Sequence, residues 1–541
     1  MLIAANKFGG IAPKVADHLL PEHLASDALN VKIESGAIKP LLGIGTVSGI
    51  TVDGATKTIW RNPVNNDPVS FIHVTDVVGN PLPNDAWGRV YWTDDYAATP
   101  PRYAANGQFS APLDLGFPDA IVSAPALTIT PGAGTETDPL LQESRTYLTT
   151  YVTQYGEESP PSYATGIISL WPDNGDTVSV SLPAGPSGSY NVTRVNVYRT
   201  NTGSTGTEYQ RVGHGSPGGT FVDDVDSDVL GIVLPSEGWA RPPTGMRGLI
   251  SHPAGFLCGF HEQKLCCSVA GVPHAWPYEN RYAVEGEVVA IGAYGASVLV
   301  LTNRATYIAT GEDPSMLSVE KLEIGGVCQS KRAVVDMGYA IVYPTADGLT
   351  VAGVGTVPKV VTSEVVDSGY WASLNLDEMI ACQYEDMYLC VCGSGSQIEG
   401  FLFNPATNDM MPISISADAL YYDKILGHSF LHTFGEGTVK SFDNDEAAPL
   451  IYNWKSKHFR MPYPLSLSVA QVFADDYTAP LIFRLYADKN SEHLYEVTVT
   501  SSDPFRLPAV SRYEYAAFEV EGTAAISAVM VASSVAELAG A

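Results

Sequence analysis

Val298-Leu-Val-Leu-Thr302, then Asn303-Arg304, then Ala305-Thr-Tyr-Ile-Ala-Thr310: two runs of strand formers stand either side of a two-residue break. Val, Ile, Thr and Tyr suit the pleated, half-buried surface of a sheet. A two-residue connection joins antiparallel neighbours. The stretch therefore predicts a β-hairpin. Working outward, the same pattern fills residues 238–450. Gly255–Phe260, Lys264–Ser268, Val288–Ala293, Ala340–Tyr343, Leu349–Ala352, Met387–Cys392, Phe401–Asn404 and Thr438–Phe442 are short apolar runs with Gly or Asn at many breaks. Small sheet units in series predict a β-propeller or propeller-like ring. No Trp-Asp signature recurs, so the blade number stays open. A double sandwich would produce much the same pattern.

Residues 119–237 read as a separate module. Thr146-Tyr-Leu-Thr-Thr-Tyr-Val-Thr is a strand, Thr177-Val-Ser-Val-Ser-Leu alternates at period two, and Val192-Thr-Arg-Val-Asn-Val-Tyr-Arg alternates again. Between them lies the loop Gly156-Glu-Glu-Ser-Pro-Pro-Ser. This order resembles fibronectin type III sandwiches. Residues 1–118 combine an N-terminal hairpin, in which Val31 and Ile33 alternate with Lys32 and Glu34 before a Ser35-Gly36 turn, with short strands at Thr58–Trp60, Val69–Val74 and Arg89–Trp92, separated by breakers such as Asn62-Pro63 and Asn80-Pro81. These strands are candidates for further blades, with the sandwich as an insertion. Pro21, with Leu24 and Ala28 four apart, predicts a short helix. In residues 451–541, Leu481–Ala487, Leu494–Thr500, Tyr515–Val520 and Ala525–Ala532 predict strands, forming a terminal sandwich or pairing with the N-terminal hairpin. The expected fold is all-β: a β-propeller-like body, an inserted fibronectin type III-like β-sandwich and a C-terminal β-sandwich-like region.

The chain has 59 acidic and 30 basic residues, a net charge of −29. That balance excludes a protein that grips nucleic acid by its phosphates, which requires Lys and Arg. It suits a solubilising surface, or one that DNA slides past without sticking. Seven cysteines without regular spacing argue against a disulfide framework and fit synthesis in a reducing cytoplasm. Met1–Gly10 lacks a basic segment followed by an apolar core, so no secretory signal is expected. No run is apolar and long enough to predict a membrane anchor.

Several clusters invite a chemical reading. Asp224, Asp226 and Asp228, beside Asp223, carry the one-three-five spacing of a calcium loop. Val229 then stands where the turn needs Gly, and Pro235 where a bidentate Glu belongs. Cys258, His261, Cys266 and Cys267 lack the paired spacing of a structural zinc site. Alternation puts Cys390 and Cys392 on one strand face as core. Trp239 with Pro242-Pro243, and Trp276-Pro277, suit core corners or subunit contacts better than a sugar platform. There is no G-x-S-x-G elbow, HExxH or P-loop. Gly353-Val-Gly355 lacks a third glycine. Asn191-Val-Thr is a glycosylation sequon, relevant only to a secreted chain. No catalytic, cofactor-binding or metal residue is expected.

Read in order, a longer set of motifs resembles one family. Phe8-Gly-Gly…Pro13, Leu20-Pro21, Ala25…Ala28…Asn30, Gly36 and Pro40 resemble the opening of podophage tail nozzle proteins, the tail tubular protein B-like or DNA-stabilising tail proteins. Gly156-Glu-Glu-Ser-Pro-Pro-Ser, Pro242-Pro243…Met246-Arg-Gly-Leu, Cys267-Ser268…Pro273-His-Ala-Trp-Pro, Leu301-Thr-Asn, Gly311…Pro314, Cys328-Gln-Ser, Asp347-Gly-Leu and Pro504-Phe-Arg-Leu-Pro continue it. The resemblance implies a non-enzymatic virion subunit, with no cofactor, assembling as a ring, commonly a homohexamer, at the distal end of a short tail. The ring would surround the DNA exit channel, join a tail adaptor ring above, and meet tail fibres or tip proteins below. Genomic DNA would pass through without specific binding. Six copies at −29 each would carry −174, and a lumen lined by part of that charge would repel the DNA backbone. A receptor-binding or fibre-like module, and a propeller glycosidase acting on surface polysaccharide, are the alternatives.

Overall fold

A computed structural model describes residues 1–62, 68–96, 99–117, 123–202, 207–353, 357–488, 490–508 and 512–538. Pro63, Gly355 and the expected 118/119 boundary lie outside the described residues. The hairpin at Val298 forms as Ser297–Thr302 against Thr306–Thr310. Thr302 shapes its turn: Oγ1 accepts from Ala305 N at 2.9 Å and lies 2.8 Å from the Ala305 carbonyl. Val288–Tyr294 and Ser318–Leu322 flank the hairpin, making a four-stranded antiparallel sheet.

Among the described residues that sheet is one of six of the same size. We number them as blades in chain order. Blade 1 is Thr75–Gly79, Val90–Asp94, Arg102–Ala104 and Leu113–Asp114; blade 2 is Arg247–His252, Phe256–His261, Lys264–Cys267 and Arg281–Ala283. Blade 3 contains the Val298 hairpin. Blade 4 is Val335–Asp336, Ala340–Thr345, Gly348–Gly353 and Lys359–Val360; blade 5 is Ile380–Tyr384, Met387–Val391, Gly400–Asn404 and Asp409–Ile413. Blade 6 is Ala419–Asp423, His428–His432 and Thr438–Ser441, completed by Gly45–Thr51 from far upstream. First strands of successive blades stand next to one another and face a common axis. The hairpin Thr58–Arg61 with Pro68–Phe71 sits beside the first strand of blade 6 and reaches blade 1 through Phe71 on Trp92. The body is a β-propeller. Ala340–Thr345 and Met387–Val391 are buried at every position, as expected of strands covered on both faces.

Between blades 1 and 2 the chain forms a β-sandwich. One sheet is Leu127–Thr130, Thr177–Ser181 and Thr220–Asp223; the other is Tyr147–Thr153, Val192–Thr202 and Thr207–Gly215. Tyr147, Tyr151, Val178, Val180, Val195 and Val197 meet between them. The outer edge of Tyr147–Thr153 is sealed by the Gly156-Glu-Glu-Ser-Pro-Pro-Ser segment and its continuation to Thr165. Ser159, Ser162 and Thr165 each donate a backbone N–H to the strand, to Tyr151, Thr149 and Tyr147. Their side-chain oxygens accept the N–H of the same three residues at 2.8, 3.0 and 2.9 Å. Hydroxyls thus stand in for the carbonyls of a neighbouring strand, and the edge is closed to further pairing.

Strands from both ends of the described chain build a second sandwich. Ile526–Ala532 lies between Val469–Ala474 on one side and Leu2–Ala5 with Ala37–Pro40 on the other. The facing sheet runs Ala25–Leu29, Tyr452–Ser456, Tyr513–Gly522, Leu481–Ala487 and Tyr495–Thr498. The terminal strands therefore both form a sandwich and pair with the N-terminal segments. The core continues from Trp454, Phe483 and Phe518 into Trp371, Tyr388 and Phe401 at blades 4 and 5.

The helix expected after Pro21 is a correction. Ala25–Leu29 is a strand paired with Tyr452–Ser456, and the nearby helical turn is a short 3₁₀ segment, Asp17–Leu19. So short a helix is marginal in isolation. As a strand, the segment buries Ala25 and Ala28 and satisfies its backbone against a partner distant in sequence.

Candidate functional site

The first strands of blades 1, 2, 3, 4 and 6, with the Thr58–Arg61 strand, line an axial funnel of about 850 Å³. Trp60, Asp76, Tyr294, Asp336, Tyr421 and Lys424 stand on its wall. Its floor comes from a 3₁₀ turn, Lys331–Ala333, just before blade 4. Lys331 Nζ lies 2.6 Å from Asp76, on the first strand of blade 1, and 2.8 Å from Asp95, just after its second. Burial alone would lower the Lys331 pKa, yet the two carboxylates hold it above the ordinary lysine value. Arg332 donates to the backbone carbonyls of Lys57, at 2.9 Å, and Asp418. Burial pushes its guanidinium below the usual value, against the pull of Asp418. Beyond this floor lies a smaller hollow of about 190 Å³, touching Thr58, Arg332, Ala381 and Leu420. Lys331 and Arg332 thus plug the propeller axis and tie blades 1, 4 and 6 and the hairpin across it.

The mouth of the funnel is charge-paired as well. Arg61 lies 3.5 Å from Asp423, and Lys424 2.8 Å from Asp336. Beyond the floor, beside the smaller hollow, Asp418 is ion-paired with Lys57 at 2.6 Å. Burial would raise the Asp418 pKa, but Lys57, the Phe434 N–H and Arg332 hold it below the ordinary carboxylate value. Each of these carboxylates is committed to a cation, so proton transfer would first have to break a pair. The arrangement suits rigidity better than acid–base chemistry.

A second polar constellation joins the inserted sandwich to the propeller. Arg89 of the loop preceding the second strand of blade 1 bonds Asp85 and reaches Glu157 at 2.9 Å. Tyr103 donates to Glu157 at 3.0 Å. The Glu158 N–H donates to His274 Nε2 at 3.2 Å, while its carboxylate accepts from Tyr198 and Asn196. His274 is buried between Phe117 and Trp239. Burial lowers its pKa; Glu157 pulls the other way.

The acidic cluster singled out in the sequence divides. Asp223 is fully buried and takes hydrogen bonds from Arg199 at 2.6 Å and Tyr147 at 2.7 Å, whereas Asp224, Asp226 and Asp228 are exposed. Cys258 and Cys267 are brought together, 2.9 Å apart. Cys266 points to the other side of the sheet, beside Trp276. Cys390 is buried and Cys392 half-buried. Trp276 is a core corner, its indole donating to the Pro273 carbonyl at 2.9 Å. Among the described residues no group of three or more His, Cys, Asp and Glu side chains is placed to hold a metal. No helix among them is long and apolar enough to cross a membrane. Lys331, Arg332, Asp76 and Asp95 were not foreseen. The available signal was the adjacent Lys-Arg pair in a chain poor in cations.

Strand order and closed axis define a β-propeller protein carrying two sandwiches. No family model matches the chain, and no curated protein matches it. Among solved structures it is similar to BamB from Moraxella catarrhalis, at 11% identity over 74% of this chain and 99% of that one, with TM-score 0.27. It is also similar to the extracellular domain of a putative one component system from B. thetaiotaomicron, at 9% identity over 92% and 78%, TM-score 0.28. The WD40 β-propeller domain of Doa1 matches at 9% identity over 50% and 90%, TM-score 0.21. At scores this low the fold rests on the strand order.

Proposed function

We propose that the chain is a structural, non-catalytic subunit of a short phage tail, forming the distal nozzle ring around the DNA exit channel. The observation that carries this reading is where the resembling motifs fall: many of them act as joints. Phe8 stands edge-on to Trp454, whose indole donates to Gly9 O at 3.0 Å. Gly10 lies so close to the Met410 backbone that a side chain there would collide with it. These contacts fix the terminal sandwich to blade 5. Glu157 and Glu158 fix the inserted sandwich to blade 1 and to His274. Motifs spent on holding three bodies together suit a building block. The net charge of −29 supports a surface along which DNA moves without sticking. In a ring, DNA would run between copies, because Lys331 and Arg332 occupy the axis of each propeller.

One observation favours the second reading, a receptor-binding module. The inserted sandwich carries exposed apolar side chains, Leu140 at 91% and Ile167 at 75% among them, which are free to enter a contact with a partner. Immunogold labelling of intact virions, imaged by electron microscopy, separates the two. Label at the distal end of short tails is the expected result. Label on projecting fibres would transfer the chain to receptor binding. Absence of label, with a negative blot of denatured particles, would overturn both.

A further inference from the structure

The hairpin Phe256–His261 with Lys264–Cys267 in blade 2 sets Cys258 directly opposite Cys267. Ser268 N donates to Leu257 O at 2.8 Å. By the alternation of an antiparallel ladder, the Cys258–Cys267 pair is then a non-hydrogen-bonded one. Such pairs bring Cα atoms to about 4.5 Å, within the roughly 4.4–6.8 Å that a disulfide spans. The two sulfurs lie 2.9 Å apart, closer than unbonded sulfur atoms pack, and both thiols are free. The other candidates fit less well. Cys266 faces the opposite side of the sheet, among Leu249, Leu257 and Trp276. Cys390 and Cys392 are separated along one extended segment by about 6.6–6.8 Å, the far limit for a bridge.

We propose that Cys258 and Cys267 are an oxidation site, closing a cross-strand disulfide by exchange with a low-molecular-weight disulfide. The Cys258 thiolate attacks one sulfur of that reagent and expels a thiolate, leaving a mixed disulfide. The Cys267 thiolate then attacks Cys258 Sγ and expels the second thiolate. Two electrons pass to the reagent, and the two protons lost by the cysteines end on its two thiols. Both cysteines are sealed among Phe256, Phe260, Leu265 and Val298, and burial holds the Cys267 thiol un-ionised. Exchange therefore belongs to folding, or to an opening of blade 2. Whichever state is folded in will persist against reagents outside.

The test unfolds the full chain and refolds it in a mixture of reduced and oxidised glutathione poised to oxidise. Remaining thiols are alkylated, then intact mass is measured and peptides are mapped. The expected result is a chain carrying five alkyl groups instead of seven, a Cys258–Cys267 cross-link, and a higher Tm than the reduced chain. Cys266→Ser should keep the link, and Cys267→Ser should abolish it. Seven alkylated cysteines in the refolded wild type would overturn the proposal. So would glutathione adducts without the link, or a link that survives Cys267→Ser. Mapping of the wild type decides the question even where a variant fails to refold.

Discussion

Asp223 shows how little a residue's type fixes its role. It sits in the densest run of carboxylates in the chain, yet it is a fully buried acceptor at the heart of a sandwich. Arg199, equally buried, donates to it at 2.6 Å, Arg145 approaches at 3.4 Å, and Tyr147 donates at 2.7 Å. Burial, and then the charge of Asp223, push the Tyr147 phenol upward and keep it a donor. Removing one member of a buried pair strands the other charge, which typically costs about 3–5 kcal/mol. Asp223→Asn is therefore expected to destabilise the inserted sandwich by about 3–5 kcal/mol, read by denaturant unfolding. A loss within the range of ordinary surface substitutions, about 0.5 kcal/mol, would contradict the assigned role. The three neighbouring aspartates should fall in that small range.

At the scale of elements, much was legible where strands report themselves locally. The Val298 hairpin, Thr177–Ser181 and Leu481–Ala487 follow from β-formers bounded by turn residues. What was hidden depends on distant partners. Ala25–Leu29 is a strand because Tyr452–Ser456 pairs with it, and nothing within its own sequence announces that partner. The axial plug was hidden for the same reason: Lys331 meets Asp76 and Asp95 across more than 230 residues of chain. The joint at His274 carries a pH dependence whose sign follows from its burial. Its folded pKa is lowered from 6.5, so the unfolded chain binds the proton more readily. The contribution is fully present above about pH 6.5 and is lost as pH falls through the lower folded value. Glu157, Glu158 and Arg89 face the same ring. His252, also lowered by burial, is common to wild type and variant. Thermal unfolding at pH 7.5 and 5.5 should therefore show a smaller acid loss in His274→Gln than in wild type. Equal losses would show that His274 does not titrate on unfolding.

Across the whole molecule, the distribution of cores predicts how it comes apart. The terminal sandwich shares one continuous apolar core with blades 4 and 5, from Val529 and Trp454 through Trp371 to Tyr388. Elements that share a core unfold together. The inserted sandwich has its own core around Tyr147 and Val195, and it meets the propeller through a small joint: the Arg89–Glu157 ion pair and Tyr155, which packs against Trp87 and Tyr103. Calorimetry should resolve at least two transitions, the earlier assigned to residues 123–234 by hydrogen exchange. A single transition with uniform exchange would mean that the joint couples the bodies fully.

Blade 6 closes with a strand from near the start of the chain, Thr51 meeting Thr438. Roughly 390 residues must be synthesised between them. At about 5–20 residues per second this takes roughly 20–80 s on the ribosome. Through that interval Gly45–Thr51 waits without its partner while blades 1 to 5 are laid down beside it. Blade 6 is the last blade the nascent chain can finish, ahead only of the terminal sandwich, and the ring's first-made strand is its clasp.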